Sequence, residues 1–180
     1  MKAIELLKTL DQLDQEQGMW LFTTGMFRTL FPADAPATLK SQLKRHVHNG
    51  LLSQICRNLY ANERARSMPV TRLEAVVPYL RPNELTYLSQ ESRLADLGLI
   101  SQMPIDRLTL MTTGRSQLYP TRYGTLEFTH TSKSPEKILD ETTLNAETGL
   151  LEASEALSLR DLRRAGRNLH MLADQGGLDR

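Results

Sequence analysis

The sequence of 180 residues predicts an α+β protein built in two parts, and three observations lead to that prediction. Apolar residues recur at helical spacing in three stretches within the first 48 positions. A short hairpin pattern follows them, and beyond residue 66 short β-rich runs alternate with helical segments. We therefore predict an N-terminal winged helix-turn-helix over residues 1–66. A mixed α/β C-terminal domain with a small antiparallel-rich sheet is predicted over residues 67–180.

The first two helices are marked by leucine spacing and by signals at their ends. Leucines three and four residues apart precede Gly18, which predicts a helix ending there. A short apolar run at residues 19–22 predicts a strand. Thr23 or Thr24 can cap the next helix, because a hydroxyl oxygen accepts from the free backbone donors of the first turn. Pro32 ends this second helix.

A third helix and a hairpin complete the predicted N-terminal domain. Pro36 near its start and Gly50 at its end bound a helix with apolar residues at every fourth position. Residues 51–55 and 59–61 predict two strands, joined by a turn in which Asn58 tolerates a positive φ. Three short helices followed by a hairpin are typical of a winged helix-turn-helix, whose third helix reads the DNA.

The C-terminal domain is predicted to mix helices and strands. Residues 63–69 read as a linker or hinge between the two domains. Helices are predicted over residues 70–79, 90–96 (capped by Ser89), 136–141 and 150–172. Strands are predicted over residues 85–88, 107–112, 118–122 and 126–131.

The basic charge is concentrated in one segment. The whole chain carries a net charge of +1, so no global field marks it as a nucleic-acid or membrane binder. Residues 40–66, however, contain six Lys or Arg residues against the single acid Glu63, a net charge of +5. A local patch of this size is what a phosphate-binding surface requires, although a solvated face has the same composition.

The basic segment coincides with the predicted third helix and the hairpin turn, which favours DNA binding. Small residues near the start of the helix let its backbone approach base edges, and basic residues further along reach phosphates. The candidate DNA-binding residues are Thr24, Arg28, Thr38, Lys40, Ser41, Lys44, Arg45, His48, Arg57 and Asn58.

Two further basic features lie outside this segment. The turn at residues 113–116 contains a glycine and Arg115, so it is either a phosphate cradle or a plain turn. The last predicted helix carries a row of arginines around Asp161, and the candidate second basic patch consists of Arg115, Arg160, Arg163, Arg164 and Arg167. This row is either a second DNA-backbone contact, a site for an acidic protein, or a solvated face paired with Glu152 and Glu155.

The residues that enzymes and metal sites need are sparse. Cys56 is the only cysteine, which excludes a disulfide framework and a cysteine-based zinc site and fits a reducing cytoplasm. His46 and His48 lack the i, i+4 spacing that places two metal ligands on one helix face. His130, at the end of a predicted strand, is interpreted as a packed or exposed polar residue and not as a catalytic base. We expect no enzymatic activity, no cofactor and no metal. We also expect neither a signal peptide nor a membrane span, because no apolar run approaches 18 residues.

Several segments in succession resemble the AbiEi family, the antitoxins of type IV toxin–antitoxin systems. The segments that carry the resemblance are NGLL at 49–52, CRNLYAN at 56–62, YLSQES at 87–92, GLI at 98–100, PIDRLT at 104–109, TTGRS at 112–116 and GTLEFTHT at 124–131. No single segment is diagnostic, but their order over residues 10–170 is fairly specific. Family members usually have a glycine where this chain has Asn58, and asparagine adopts the same positive φ at modest cost.

The resemblance implies an autorepressor with an antitoxin function. An N-terminal winged helix would bind inverted repeats in its own promoter, with possible cooperation between copies on the DNA. The C-terminal domain would help to antagonise a nucleotidyltransferase-like toxin, and a direct complex with that toxin is not required. Two alternatives stay open: a stand-alone winged-helix regulator with a ligand- or protein-sensing C-terminal domain, and a protein-interaction module that binds no DNA.

Overall fold

The structure is a computed structural model that describes residues 1–100 and 106–166. It divides into two compact units. Unit 1 comprises Met1–Arg72 together with Thr121–Tyr123, and unit 2 comprises the other described residues. The described chain contains seven helices and two sheets, so the protein is α+β, as the sequence predicts. The domain boundary after residue 66 stays a prediction.

Unit 1 consists of three helices and a three-stranded sheet. Its elements are α1 (Ala3–Gln17), β1 (Leu21–Thr23), α2 (Thr24–Leu30), α3 (Pro36–His48), β2 (Ser53–Cys56) and β3 (Leu59–Ala61). The strand order is β1-β3-β2 and both pairings are antiparallel. The sequence did not indicate that β1 pairs with β3 of the hairpin, because the partners Leu21 and Ala61 are 40 residues apart.

Local signals set the ends of the unit 1 helices. Gly18 ends α1 in the left-handed conformation, and Pro36 lies in the first turn of α3. Thr23 caps α2 through its Oγ1, which accepts a hydrogen bond from the Met26 N–H at 3.2 Å. A core of leucine and aromatic side chains joins the three helices to the sheet; its fully buried members are Leu6, Leu10, Phe22, Phe27, Leu39 and Leu43.

The predicted linker is held against α1. The Asp14 carboxylate accepts hydrogen bonds from the backbone N–H groups of Arg66 (2.8 Å) and Ser67 (3.0 Å). A hydrogen bond from the Ser67 side chain makes the largest contribution to lowering the pKa of Asp14, and the two backbone hydrogen bonds lower it further. Residues 66–67 are therefore fixed to unit 1 and do not form a free hinge.

In the second part of the chain, the described residues form four helices and a six-stranded sheet. Its elements are α4 (Arg72–Leu80), β4 (Thr86–Leu88), α5 (Gln90–Asp96), β5 (Arg107–Thr112), β6 (Gln117–Thr121), β7 (Gly124–His130), α6 (Pro135–Asp140), β8 (Thr142–Leu144), β9 (Leu151–Ala153) and α7 (Glu155–Ala165). The strand order is β6-β7-β5-β4-β9-β8.

This sheet is larger than the small one that the sequence predicts, and it contains parallel as well as antiparallel pairs. It has six strands and is mixed, because β4 pairs with β9 and β5 pairs with β7 in parallel, whereas β4–β5 and β8–β9 are antiparallel. The strand β8 was not predicted. The helix predicted over residues 150–172 was wrong at its start, since Leu151 pairs with Tyr87 as part of β9 and α7 begins only at Glu155.

The prediction that the Ser89 side chain caps α5 was also wrong. Ser89 occupies the N-cap position, but its hydroxyl donates to the Asp161 carboxylate at 2.9 Å. The Thr109 hydroxyl of β5 takes the place of the cap, accepting from the Ser92 N–H at 3.0 Å and donating to the Ser89 carbonyl at 2.8 Å. The start of α5 is thus buried, and a strand residue 17 positions further along the chain accepts the hydrogen bond from its backbone.

Candidate nucleic-acid interface

The outer side of α3 is polar and basic along its whole length. The side chains of Leu39 and Leu43 are fully buried, and they attach the helix to the core of unit 1. The exposed residues of α3 from Thr38 onwards define what we call the basic face: Thr38, Lys40, Ser41, Lys44, Arg45 and His48. All six were sequence-predicted candidates. Small residues at positions 35–37 precede this face and leave the start of the helix open to close approach.

The cations of the basic face have no acidic partner in the described part of the chain. Among residues 1–100 and 106–166, neither Lys40, Lys44 nor Arg45 forms an ion pair with an acidic side chain. Arg45 and His48 lie in the last turn of α3, where the helix dipole favours positive charge. A phosphate that approaches this face therefore meets cations that need not first break an intramolecular bond.

The hairpin turn, residues 56–58 between β2 and β3, lies against the start of α2. Asn58 has φ +65°, the left-handed conformation that the sequence predicts for it. Its carbonyl accepts from the Thr24 N–H at 3.0 Å, and the Thr24 hydroxyl lies 3.5 Å from the Asn58 side-chain oxygen. The structure thus brings together two predicted site residues that are 34 positions apart. Arg57 at the turn and Arg28 on α2 are exposed.

His46 belongs to the core and not to the basic face. The residue is only 2% exposed, and burial is the main reason why its pKa lies below the usual 6.5. A neutral imidazole adds nothing to the positive charge of the segment. A signal for this was present in the sequence, since His46 continues the apolar spacing of Leu39 and Leu43.

Three residues from outside the N-terminal segment complete unit 1. Thr121–Tyr123, the turn between β6 and β7, is part of this unit. The Arg122 side chain pairs with Glu63 at 2.9 Å, and the Tyr123 ring lies 6.0 Å from the Trp20 ring between centroids. Burial, with a smaller contribution from Glu63, raises the pKa of Tyr123 to about 12. Nothing in the local sequence indicates this contribution.

The predicted second basic patch is only partly available for binding. Arg115, Arg163 and Arg164 are exposed. Arg160 pairs with Glu141 at 2.6 Å, and Arg167 lies outside the described residues. The ion-pair partners suggested for the row were wrong, because Glu152 pairs with Arg93 at 2.8 Å and Arg160 uses Glu141.

Asp161 is the anchor of a buried polar network in unit 2. It is 3% exposed, although the sequence places it in a row of solvated arginines. Its Oδ2 accepts from the Tyr87 and Ser89 hydroxyls, each at 2.9 Å, and its Oδ1 lies 3.2 Å from the Lys133 ammonium. Burial and the neighbouring Asp161 charge raise the pKa of Tyr87. The network joins α7 to β4, so its evident role is structural.

The turn around Gly114 favours the plain-turn interpretation over a phosphate cradle. The Thr112 hydroxyl donates to the Glu84 carboxylate at 3.2 Å, and a Cβ on Gly114 would collide with that same carboxylate. Glu84 also pairs with Arg81 at 3.1 Å. The anion beside this turn is therefore supplied by the chain itself, and it would repel a phosphate.

Unit 2 also contains an open cleft of about 490 Å³. It lies beside the end of α4 and the start of β9, and its lining is mainly apolar: Val77, Pro78, Arg81, Pro82, Glu84, Leu85, Thr86, Gly149, Leu150 and Leu151. The Arg81 guanidinium beneath it is packed 4.8 Å from the Phe128 ring centroid and 5.4 Å from that of Tyr119. A volume of this size is within the range of small-molecule sites.

The residues considered for catalysis and metal binding are not gathered into a site. Burial raises the pKa of the Cys56 thiol, which favours its unreactive protonated form. Within the described residues no three His, Cys, Asp or Glu side chains are grouped so that they could hold a metal ion. None of the described helices is both long enough and apolar enough to cross a membrane.

No protein-family model matches the chain, and no curated protein matches it either.

Proposed function

We propose that unit 1 is a winged helix-turn-helix that binds double-stranded DNA. In this proposal α3 is the recognition helix, and β2, the hairpin turn and β3 form the wing. The observation that carries the proposal is the basic face, whose cations are exposed and have no ion-pair partner among the described residues. The contact between Asn58 and Thr24 supports it further, because it holds the wing beside the helices.

Each part of the interface has a distinct role in this proposal. The side of α3 that carries Thr38, Ser41, Lys44 and Arg45 enters the major groove, with His48 at its far end. Lys40 on the helix and Arg57 on the wing hold phosphates. Thr24 and Arg28 meet the flanking backbone, and Asn58 shapes the hairpin turn.

We further propose that the protein acts in the cytoplasm as an AbiEi-like antitoxin that represses its own promoter. It would do so by occupying inverted repeats, without catalysis and without a cofactor. The C-terminal part would counteract a nucleotidyltransferase-like toxin. The support for this step is the ordered set of segments that resemble the family, together with a basic DNA-binding unit at the N-terminal end.

Binding to its own upstream DNA tests the proposal. The purified protein is titrated against its upstream duplex and a scrambled duplex at several salt concentrations, and we expect specific, salt-dependent binding. Lys44→Ala combined with Arg45→Ala removes both central cations of the basic face and should abolish promoter binding at moderate salt without unfolding the protein. At low salt, where residual binding can be measured, losing two interface cations should flatten the slope of log K against log salt by about 1.8, at about 0.9 for each phosphate charge that is no longer neutralised.

A matched control removes the same amount of charge elsewhere. Lys8→Ala combined with Lys137→Ala replaces two exposed helix lysines outside the interface, so affinity and salt slope should stay close to those of the wild type. Wild-type affinity in the Lys44/Arg45 variant would refute α3 as the recognition helix. Absence of any salt-sensitive DNA binding by the wild type would favour a protein-interaction module.

The cleft in unit 2 favours a second candidate, a stand-alone winged-helix regulator whose C-terminal domain senses a ligand. Its apolar lining and volume fit a small molecule. Leu150→Trp would fill the cleft. A regulator should then lose its response to the ligand while it still binds DNA, whereas an antitoxin should keep its promoter repression. A nucleotidyltransferase-like gene next to this one would favour the antitoxin.

A further inference from the structure

The wing contains a β-bulge next to the hairpin turn. Along β2 and β3, Gln54 faces Tyr60 and Cys56 faces Leu59, so Ile55 has no residue opposite it. A bulge leaves one residue unpaired in the ladder and bends the strand, which re-aims the side chains that follow. Arg57, the basic residue of the hairpin turn, lies two positions beyond this bulge.

The Thr121–Tyr123 turn of unit 1 lies beside the bulge and forms a hydrogen bond with its unpaired residue. The Arg122 N–H donates a hydrogen bond to the Ile55 carbonyl at 2.9 Å. Because β2 is an edge strand among the described strands, no further one of them lies beside this carbonyl to donate to it. The turn therefore satisfies the carbonyl of the bulged residue.

Side chains on both sides of the turn hold it in place. The Arg122 guanidinium and the Tyr123 hydroxyl both reach the Glu63 carboxylate, at 2.9 Å and 3.4 Å. The Tyr123 ring also packs between the Trp20 ring and the Arg72 guanidinium, which lies 5.9 Å from the Tyr123 ring centroid. None of these side chains belongs to the basic face.

We propose that Tyr123 and Arg122 are positioning residues for the wing, which hold the bulge at Ile55 in the bend that aims Arg57 at DNA. The inference rests on the proposed DNA-binding function and adds to it two residues that lie outside the winged helix in the sequence. They act on the interface through the wing backbone and make no contact with DNA themselves.

The salt dependence of binding separates positioning from phosphate contact. Tyr123→Ala in the full chain removes no charge, so it should weaken DNA binding about tenfold while the salt slope stays at the wild-type value. Arg57→Ala removes a phosphate contact and should flatten the slope by about 0.9. Tyr79→Ala, which replaces another half-buried tyrosine, is the matched control and should leave both quantities unchanged.

Hydrogen exchange of the DNA-free protein gives a second, independent readout. In Tyr123→Ala the amides of residues 55–59 should exchange faster, whereas those of α1 should keep wild-type protection and so show that unit 1 is folded. Trp20, the only tryptophan of the chain, should report the loss of its ring partner through a change in fluorescence. Tyr123→Phe retains the ring and should restore most of the binding.

Wild-type affinity in Tyr123→Ala, or unchanged exchange at residues 55–59, would overturn the inference. A change in salt slope as large as that of Arg57→Ala would also contradict it, because it would indicate an altered number of phosphate contacts. If the wild type binds no DNA, the proposed function fails, and the exchange measurement still decides whether the turn holds the wing.

Discussion

Replacing Asp161 should destabilise unit 2 strongly, because this carboxylate satisfies three other groups at once. In Asp161→Ala the buried hydroxyls of Tyr87 and Ser89 lose their acceptor, and the Lys133 ammonium loses its counter-charge. A buried donor without a partner costs about 1–3 kcal/mol, and breaking a buried ion pair costs about 3–5 kcal/mol. The contributions overlap, and Lys133 is 21% exposed and can turn towards water. We therefore expect a loss of about 4 kcal/mol.

The assay must report on unit 2 itself. Trp20 lies in unit 1, so tryptophan fluorescence is the wrong probe. A urea titration that is monitored by hydrogen exchange in peptides from β4 and α7 measures the free energy of local unfolding at the network. Asp161→Asn keeps one acceptor oxygen and should lose about half as much as the alanine variant.

Asp140→Ala provides the matched control, since Asp140 is an exposed aspartate at the end of α6. It should change the free energy by less than about 0.5 kcal/mol. A loss below about 1 kcal/mol in Asp161→Ala would refute the reasoning, because it would mean that water or other groups replace the carboxylate at little cost.

Three further predictions concern single residues. The pKa of His46 is lowered in the folded protein, so the unfolded state binds the proton more readily. The contribution of His46 to the free energy of unfolding should therefore be complete above pH 6.5 and should fall as the pH drops from there towards the lowered pKa. A pH series with His46→Leu, which removes this dependence, checks it. Gly114→Ala should cost about 1 kcal/mol in urea unfolding, because its Cβ would displace the Glu84 carboxylate from the Arg81 guanidinium and the Thr112 hydroxyl, and equal stability would contradict this. Thr23→Ala should cost about 1 kcal/mol in the same assay through the lost cap of α2, whereas Thr23→Ser should be close to neutral.

The N-terminal elements were predicted well because their signals are local. Gly18, Pro36 and Asn58 each act on the backbone within a few residues, so the ends of α1 and α3 and the hairpin turn follow from the nearby sequence. The exposed side of α3 follows from the helical period alone. All the basic-face residues were identified in this way, although their contact with DNA stays a prediction.

The errors in unit 2 arose where pairing is distant in sequence. Residues 151–153 continue the apolar spacing of α7, the helix that follows them in the sequence. They nevertheless form β9, because Leu151 pairs with Tyr87 on the neighbouring strand β4. The strand β8 was missed as a consequence, because it pairs only with β9 among the described strands. These two three-residue strands have too little pattern of their own to be told apart from helix, and their partners decide their conformation.

The sequence by itself determined the helices of unit 1, the hairpin turn with Asn58, and the side of α3 on which the cations lie. Only the tertiary structure decided which charged groups are solvated and which are buried. Asp161 reads as a surface residue, but its partner Tyr87 lies 74 positions away, and Arg122 reaches Glu63 across 59 positions. Local patterns specify backbone conformation because the interactions that determine it, such as caps and turns, join residues within one or two helical turns of each other. The burial and pairing of a charge depend on whichever residues the fold brings to it.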